Sequence, residues 1–144
     1  MATVRDVLAQ KGREVHHIHP DASVLVALEM MAKHRIGALV VIDGGILTGI
    51  ITERDYARKV VLKGRTSPRT LVREIMSTTV ICTRLDQTVE ECMAIMTAKA
   101  VRHLPVIEHT EVIGLVSIGD LVKNVIADQK FIIEQLEHYI KGDR

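Results

Sequence analysis

The sequence predicts an α+β fold. It is read as two copies of one small unit, each a three-stranded sheet with flanking helices, joined as a pseudo-twofold pair. Three observations carry this. Residues 23–43 and 88–108 share their apolar spacing at an offset of 65. In each copy a helical stripe gives way to two apolar runs of strand length. Each copy then closes on glycine, a hydroxyl residue and aspartate at three-residue intervals: Gly49, Thr52, Asp55 and Gly114, Ser117, Asp120.

The elements follow in chain order. "VRDVL" (4–8) and "VREIM" (72–76) read as short lead helices, matched at an offset of 68. The first copy therefore has three extra residues between Leu8 and Pro20. Short strands follow at 15–18 and 79–83. Asp21 and Asp86 are the expected helix caps, because a short carboxylate accepts the free amides of a first turn. Val24, Ala27, Leu28 and Met31, and Val89, Cys92, Met93 and Met96, mark the buried faces of two amphipathic helices. "ALVVID" and "ILTGII" flank "DGG", a tight-turn signal. "HLPVIE" and "EVIGLVS" flank "HT", a weaker one, and Pro105 marks its strand as short or at an edge. A helix starts at Thr52 and again at Ser117. The units span 1–64 and 70–127, with "KGRTSPRT" (63–70) as linker. An apolar stripe from Val122 to Ile140 carries the last helix past the repeat, so 128–144 is an extension expected to meet a second copy of the chain. One unit of about 60 residues is marginal alone, and packing two together buries both sheets.

Composition narrows the function. With 19 basic and 18 acidic residues there is no net pull toward nucleic acid, and three aromatic residues are too few for base stacking. No apolar run is long enough to span a membrane, and Arg5 and Asp6 interrupt any secretory signal, so the cytoplasm is the expected compartment. Cys82 and Cys92 have no metal-ligand spacing and read as buried thiols. "HHIH" (16–19) puts His17 and His19 on one strand face without a further ligand, so no metal is expected.

"TERD" and "SIGD" read first as capping boxes, the hydroxyl capping the helix and the acid reaching back. Capping alone does not require Gly49 and Gly114. A helix N-terminus after a strand is also an anion site. There a hydroxyl suits a phosphate oxygen, and a carboxylate suits the vicinal hydroxyls of ribose. Both roles can coexist. No nucleophile elbow, no paired hydrolytic carboxylates and no Gly-rich phosphate loop is present, so no enzyme activity is expected.

The paired motifs "GIITERD" and "GLVSIGD", with "IGALVVID" and "VRHLPVIE", make residues 4–127 resemble a stand-alone pair of CBS motifs, named for cystathionine β-synthase. The resemblance implies two clefts between the repeats that take adenosine ligands: AMP, ADP, ATP, NAD(H) or S-adenosylmethionine. By position, one cleft uses Asp120 for ribose and Ser117 for phosphate, with Gly119 admitting the ligand to the backbone. Arg102 and His103 stand where basic phosphate contacts occur in the gamma subunit of AMP-activated kinase. Adenine then lies against Val15 and His16, with Ile36, Gly37 and Ala38 opposite. The other cleft uses Asp55 and Thr52, with Arg54 and Arg58 for phosphate, and Val80, Ile81 and Val101 to His103 around adenine. Gly37 and Ala38 replace the basic pair there, a departure that Arg54 and Arg58 offset. The resemblance also implies a homodimer that signals to an effector protein by changing shape. An enzyme acting on a nucleotide, a nucleotide buffer and an interaction module with empty clefts remain as alternatives.

Overall fold

The computed structural model of the chain describes residues 1–141. The first copy holds α1 (Val4–Lys11), β1 (His17–Ile18), α2 (Val24–His34), β2 (Ala38–Asp43), β3 (Ile46–Thr52) and α3 (Glu53–Tyr56). A π-helical turn, Ala57–Val61, continues α3. The second copy holds α4 (Val72–Ile75), α5 (Val89–Lys99), β4 (His103–Glu108), β5 (Glu111–Ser117) and α6 (Ile118–Ile140). The expected α+β class and the duplication are both present.

The caps differ from the expectation. Ser23, not Asp21, caps α2, its Oγ accepting from the Val26 amide at 3.2 Å. Thr88, not Asp86, caps α5, accepting from the Glu91 amide at 3.0 Å while the Glu91 carboxylate accepts from the Thr88 amide. The hydroxyl stands one residue before the helix, where it reaches the first turn. Each aspartate lies two residues earlier and is paired instead with an arginine, Asp21 with Arg73 and Asp86 with Arg84.

The first sheet has the order β1-β2-β3, with β1 parallel to β2 and β2 antiparallel to β3. The second is only a β4-β5 hairpin. The expected strand at 79–83 shrinks to one bridge, Thr83 to Val106. Pro105 is the reason. The Thr83 amide donates to the Pro105 carbonyl and its carbonyl accepts from the Ile107 amide, both at 2.9 Å. Extending that parallel ladder toward residue 81 needs an N–H at 105, which proline lacks. Val40, its counterpart, has one, and there the ladder continues to His17. The two hairpins otherwise match, each with a register shift at the same place. The turn that "DGG" makes with Gly44 and Gly45 at positive φ is made in the second copy by His109 (φ 50°) and Thr110 (φ 67°). That left-handed conformation costs non-glycine residues about 1–2 kcal/mol each.

The packed cores do not follow the sequence halves. Val4, Val7 and Leu8 of α1 are buried with Val89, Met96, Leu104 and Val116 of the second copy. Val72 and Ile75 of α4 are buried with Val24, Met31, Leu39 and Ile51 of the first. The lead helices are exchanged. A third cluster, Ala38, Val40, Ile50 and Leu115, joins the two sheets across the seam.

Gly49 and Gly114 are explained by this exchange. A Cβ at Gly114 would lie 2.8 Å from Leu8 Cδ1, and one at Gly49 would lie 2.8 Å from both Met76 Sδ and the Ser77 carbonyl. Each glycine lets the other copy's lead segment lie against the outer strand, where Ile50 and Ser77 exchange backbone hydrogen bonds. A larger residue has no room there. The glycines are thus packing positions, which removes the need for a ligand to account for them.

Beyond Val125, α6 is exposed on every side through Ile140. Ile126, Phe131, Ile132, Ile133, Leu136, Tyr139 and Ile140 are all uncovered large apolar residues. Residues 142–144 of the expected extension lie outside the described residues.

If α1 belongs to the second core, Leu8→Ala removes a fully buried side chain from it. The expected loss is about 3 kcal/mol, read from the urea midpoint at unchanged slope.

Candidate functional site

Both hydroxyl–aspartate pairs form capping boxes. Thr52 Oγ1 accepts from the Asp55 amide at 3.1 Å, and Asp55 Oδ2 accepts from the Thr52 amide at 3.0 Å. Ser117 Oγ accepts from the Asp120 amide at 3.2 Å, and Asp120 Oδ2 accepts from the Ser117 amide at 2.8 Å. Each aspartate therefore commits one oxygen to its own helix. What its surroundings do with the rest separates the two clefts.

At Asp55 the seam is open. A cavity of about 690 Å³ lies between the copies, within the size range of small-molecule sites. Its first-copy wall carries Gly37, Thr52, Asp55 and the cations Arg54, Arg58 and Lys59. The second copy contributes Ser77 to Ile81, without Thr78, and Ala100 to His103. Every residue that the sequence assigned to the Asp55 cleft is thus brought to one cavity. Four cationic side chains, including Arg102, face two carboxylates, Glu53 and Asp55. Lys59 is committed, to Asp55 Oδ1 at 3.2 Å and the Ile75 carbonyl at 2.9 Å. Among the described residues, Arg54, Arg58 and Arg102 have no carboxylate partner. The π-helical turn widens the spiral at Ala57–Val61, placing both Arg58 and Lys59 on the cavity wall.

At Asp120 the seam is tied shut. Lys11, from the last turn of α1, puts its Nζ 2.6 Å from Asp120 Oδ2 and 2.5 Å from the Leu115 carbonyl. Burial pushes the Asp120 carboxyl up, but the Lys11 ammonium and the Ser117 hydrogen bonds outweigh it and hold the group below its ordinary range. The residues expected around adenine here are largely occupied by the fold. Ala38 is fully buried and Val15 packs beside it in the seam cluster. Ile36 leans on the first core, and the His16 ring stacks on His34 at 3.7 Å. Gly119 is open: a Cβ there would have only Ser117 Oγ nearby, at 3.6 Å.

His103 lies between the clefts. It faces Gly37, where an added Cβ would be 3.6 Å from the ring, and it lines the Asp55 cavity. Its imidazole is pushed below the usual histidine range, first by burial and then by the charges of Lys11 and Arg102, against the pull of Asp120. Sequence reading missed Lys11, Lys59, Ser77 and Thr79. Lys59 had a signal, the i,i+4 spacing from Asp55. Lys11 had one only in the three extra residues of the first copy.

Two copies of one αβ unit, locked by exchanged helices around a cavity rimmed by both, define a tandem-repeat module. The chain belongs to the CBS-domain family, whose model matches residues 3–62 and again 72–127. It is 38% identical to "CBS domain-containing protein CBSX3, mitochondrial" of Arabidopsis thaliana, over 97% of this chain and 72% of that one. It is 49% identical to the solved structure of a protein with CBS domains from Burkholderia ambifaria MC40-6, with a TM-score of 0.86 over 89% of this chain and 96% of that one. It is 25% identical to the CBS domain pair of protein MJ0100, solved with 5′-methylthioadenosine and S-adenosyl-L-methionine, with a TM-score of 0.79 over 89% of this chain and 98% of that one. These relatives are named for their domains rather than for a reaction. Among the described residues no helix is long and apolar enough to cross a membrane, and no cluster of three or more His, Cys, Asp or Glu side chains is placed to hold a metal.

The lowered His103 and Asp120 groups both favour the deprotonated form in the folded chain. Their contributions are present above the ordinary pKa of each group and are lost as pH falls through it toward the native value. For His103 that window spans the ordinary histidine pKa of about 6.5. Stability is therefore expected to drop between about pH 7.5 and 5.5. The drop should be smaller in His103→Gln, as read from urea midpoints at the two pH values.

Proposed function

We propose that the protein is an adenine-nucleotide sensor that binds AMP, ADP, ATP or NAD(H) in the Asp55 cavity. The observation that carries this is the combination of Thr52, Asp55 and three carboxylate-free arginines on one cavity between the repeats. Arg54, Arg58 and Arg102, free of carboxylate partners among the described residues, suit a phosphate. Asp55 Oδ1, released from Lys59, suits a ribose hydroxyl, and the Val80, Ile81 and Val101 side chains offer an apolar bed for adenine. The methylthioadenosine and S-adenosylmethionine of the MJ0100 structure support an adenosine-type ligand. The excess of cations here favours a phosphate over a sulfonium, since like charges repel strongly in a partly enclosed site.

Signalling follows from the same geometry. A ligand that touches both copies favours the arrangement in which both walls fit it, and it can act only through that difference. The chain acts as a homodimer in this reading. The exposed face of α6 carries Val122 and Ile126 and, after a break at Gln129, Ile132, Ile133, Leu136, Tyr139 and Ile140 at three- to four-residue spacing, an apolar stripe suited to pairing with a like helix. The cytoplasm, and an effector protein that reads the change, complete the proposal. No catalytic step and no nucleic acid belong to it.

Thermal melting with AMP, ATP, NADH and S-adenosylmethionine tests the reading. A nucleotide at about a hundred times its Kd should stabilise the chain by about 2.7 kcal/mol. Adenosine, lacking phosphate, and S-adenosylmethionine should shift it less than AMP. Asp55→Ala should abolish the shift, and an intact shift in that variant overturns the site. For the dimer, light scattering of the eluted protein should give twice the chain mass, and Leu136→Glu should reduce it to the single chain.

A further inference from the structure

The two seams are built alike but furnished differently, and Lys11 is the difference. We infer that Lys11 is an internal latch that occupies the Asp120 seam, so that each chain takes one nucleotide, at Asp55, rather than two. The inference rests on the nucleotide reading of the Asp55 cavity. Lys11 Nζ donates to Asp120 Oδ2 at 2.6 Å and to the Leu115 carbonyl at 2.5 Å. The same Oδ2 accepts the Ser117 amide, so the oxygen is saturated. A ribose hydroxyl that binds Oδ2 must displace the ammonium, and one that binds Oδ1 meets the Lys11 side chain beside it.

The origin of the latch is visible in the repeat. The lead helices match at an offset of 68, which sets Lys11 against Thr79. In the second copy α4 stops at Ile75, because Met76 turns extended and Ser77 pairs with Ile50. Thr79 then lines the open cavity. In the first copy the three extra residues let α1 run on to Lys11 before Gly12 ends it. Leu8, seated on Gly114, fixes the helix at β5 and so aims its last turn at Asp120. The longer helix supplies a tethered cation where the other seam has space. Its side chain is partly exposed, so it can leave without unpacking the core.

Calorimetric titration of the whole chain with AMP, ATP and NADH tests this through the number of sites. The wild type should bind one nucleotide per chain. Lys11→Met should bind two, and adding Asp120→Ala should return it to one. Lys11→Gln serves as a second variant that keeps a polar end. Two sites in the wild type overturn the latch, as does one site in both folded Lys11 variants. So does loss of folding in both, which would make Lys11 a structural tie. If the wild type binds none while Lys11→Met gains one site that Asp120→Ala removes, the latch stands and the Asp55 reading fails. No binding to any form overturns both.

Discussion

The close approach of each lead helix to the other copy's outer strand is the constraint on which this structure depends. Leu8 lies on Gly114 and Met76 on Gly49, with no space for a Cβ. That contact exchanges α1 and α4 between the cores, so neither half keeps a complete core without the other. The seam cluster of Ala38, Val40, Ile50 and Leu115 joins the two sheets, and Ile50 also lines the cavity beside it.

Duplication gave two equivalent seams, and small local changes made them unequal. A longer α1 brings an ammonium to one carboxylate. A π-helical turn after α3 spreads Arg58 and Lys59 along the wall of the other. Neither change alters the fold, since both fall at helix ends, and the π-helical turn still seats Val60 in the first core. Pro105 is a third such change. It removes one ladder hydrogen bond, and the segment carrying Val80 and Ile81 stays out of the sheet and against the cavity instead.

The capping boxes show why one residue pattern supports two readings. A hydroxyl and an aspartate three apart satisfy the first turn of a helix, and both pairs do so here. The same aspartate keeps further acceptor capacity. In the first copy the spare Asp55 Oδ1 meets Lys59 of its own helix, and in the second Lys11, from the far end of the chain, joins the Ser117 amide on Asp120 Oδ2. The motif alone is silent on this.

The sequence by itself determined the duplication, the α+β class, the amphipathic stripes and the residues that share the Asp55 cavity. The first three rest on short-range periodicity and on a repeat, and the cavity residues rest on the resemblance of the paired motifs to CBS motifs. It misplaced the two caps by two residues, because aspartate and hydroxyl residues stood close together. It left Gly49 and Gly114 unexplained by capping, because their neighbours, Met76 and Leu8, come from the opposite lead segment. Only the tertiary structure decided that the lead helices cross, that the second sheet stops at a hairpin, and that Lys11 reaches Asp120. Lys11 and Asp120 are 109 residues apart in the chain. Contacts at that separation leave no periodic trace, since they depend on where packing places two surfaces and not on what either segment prefers alone.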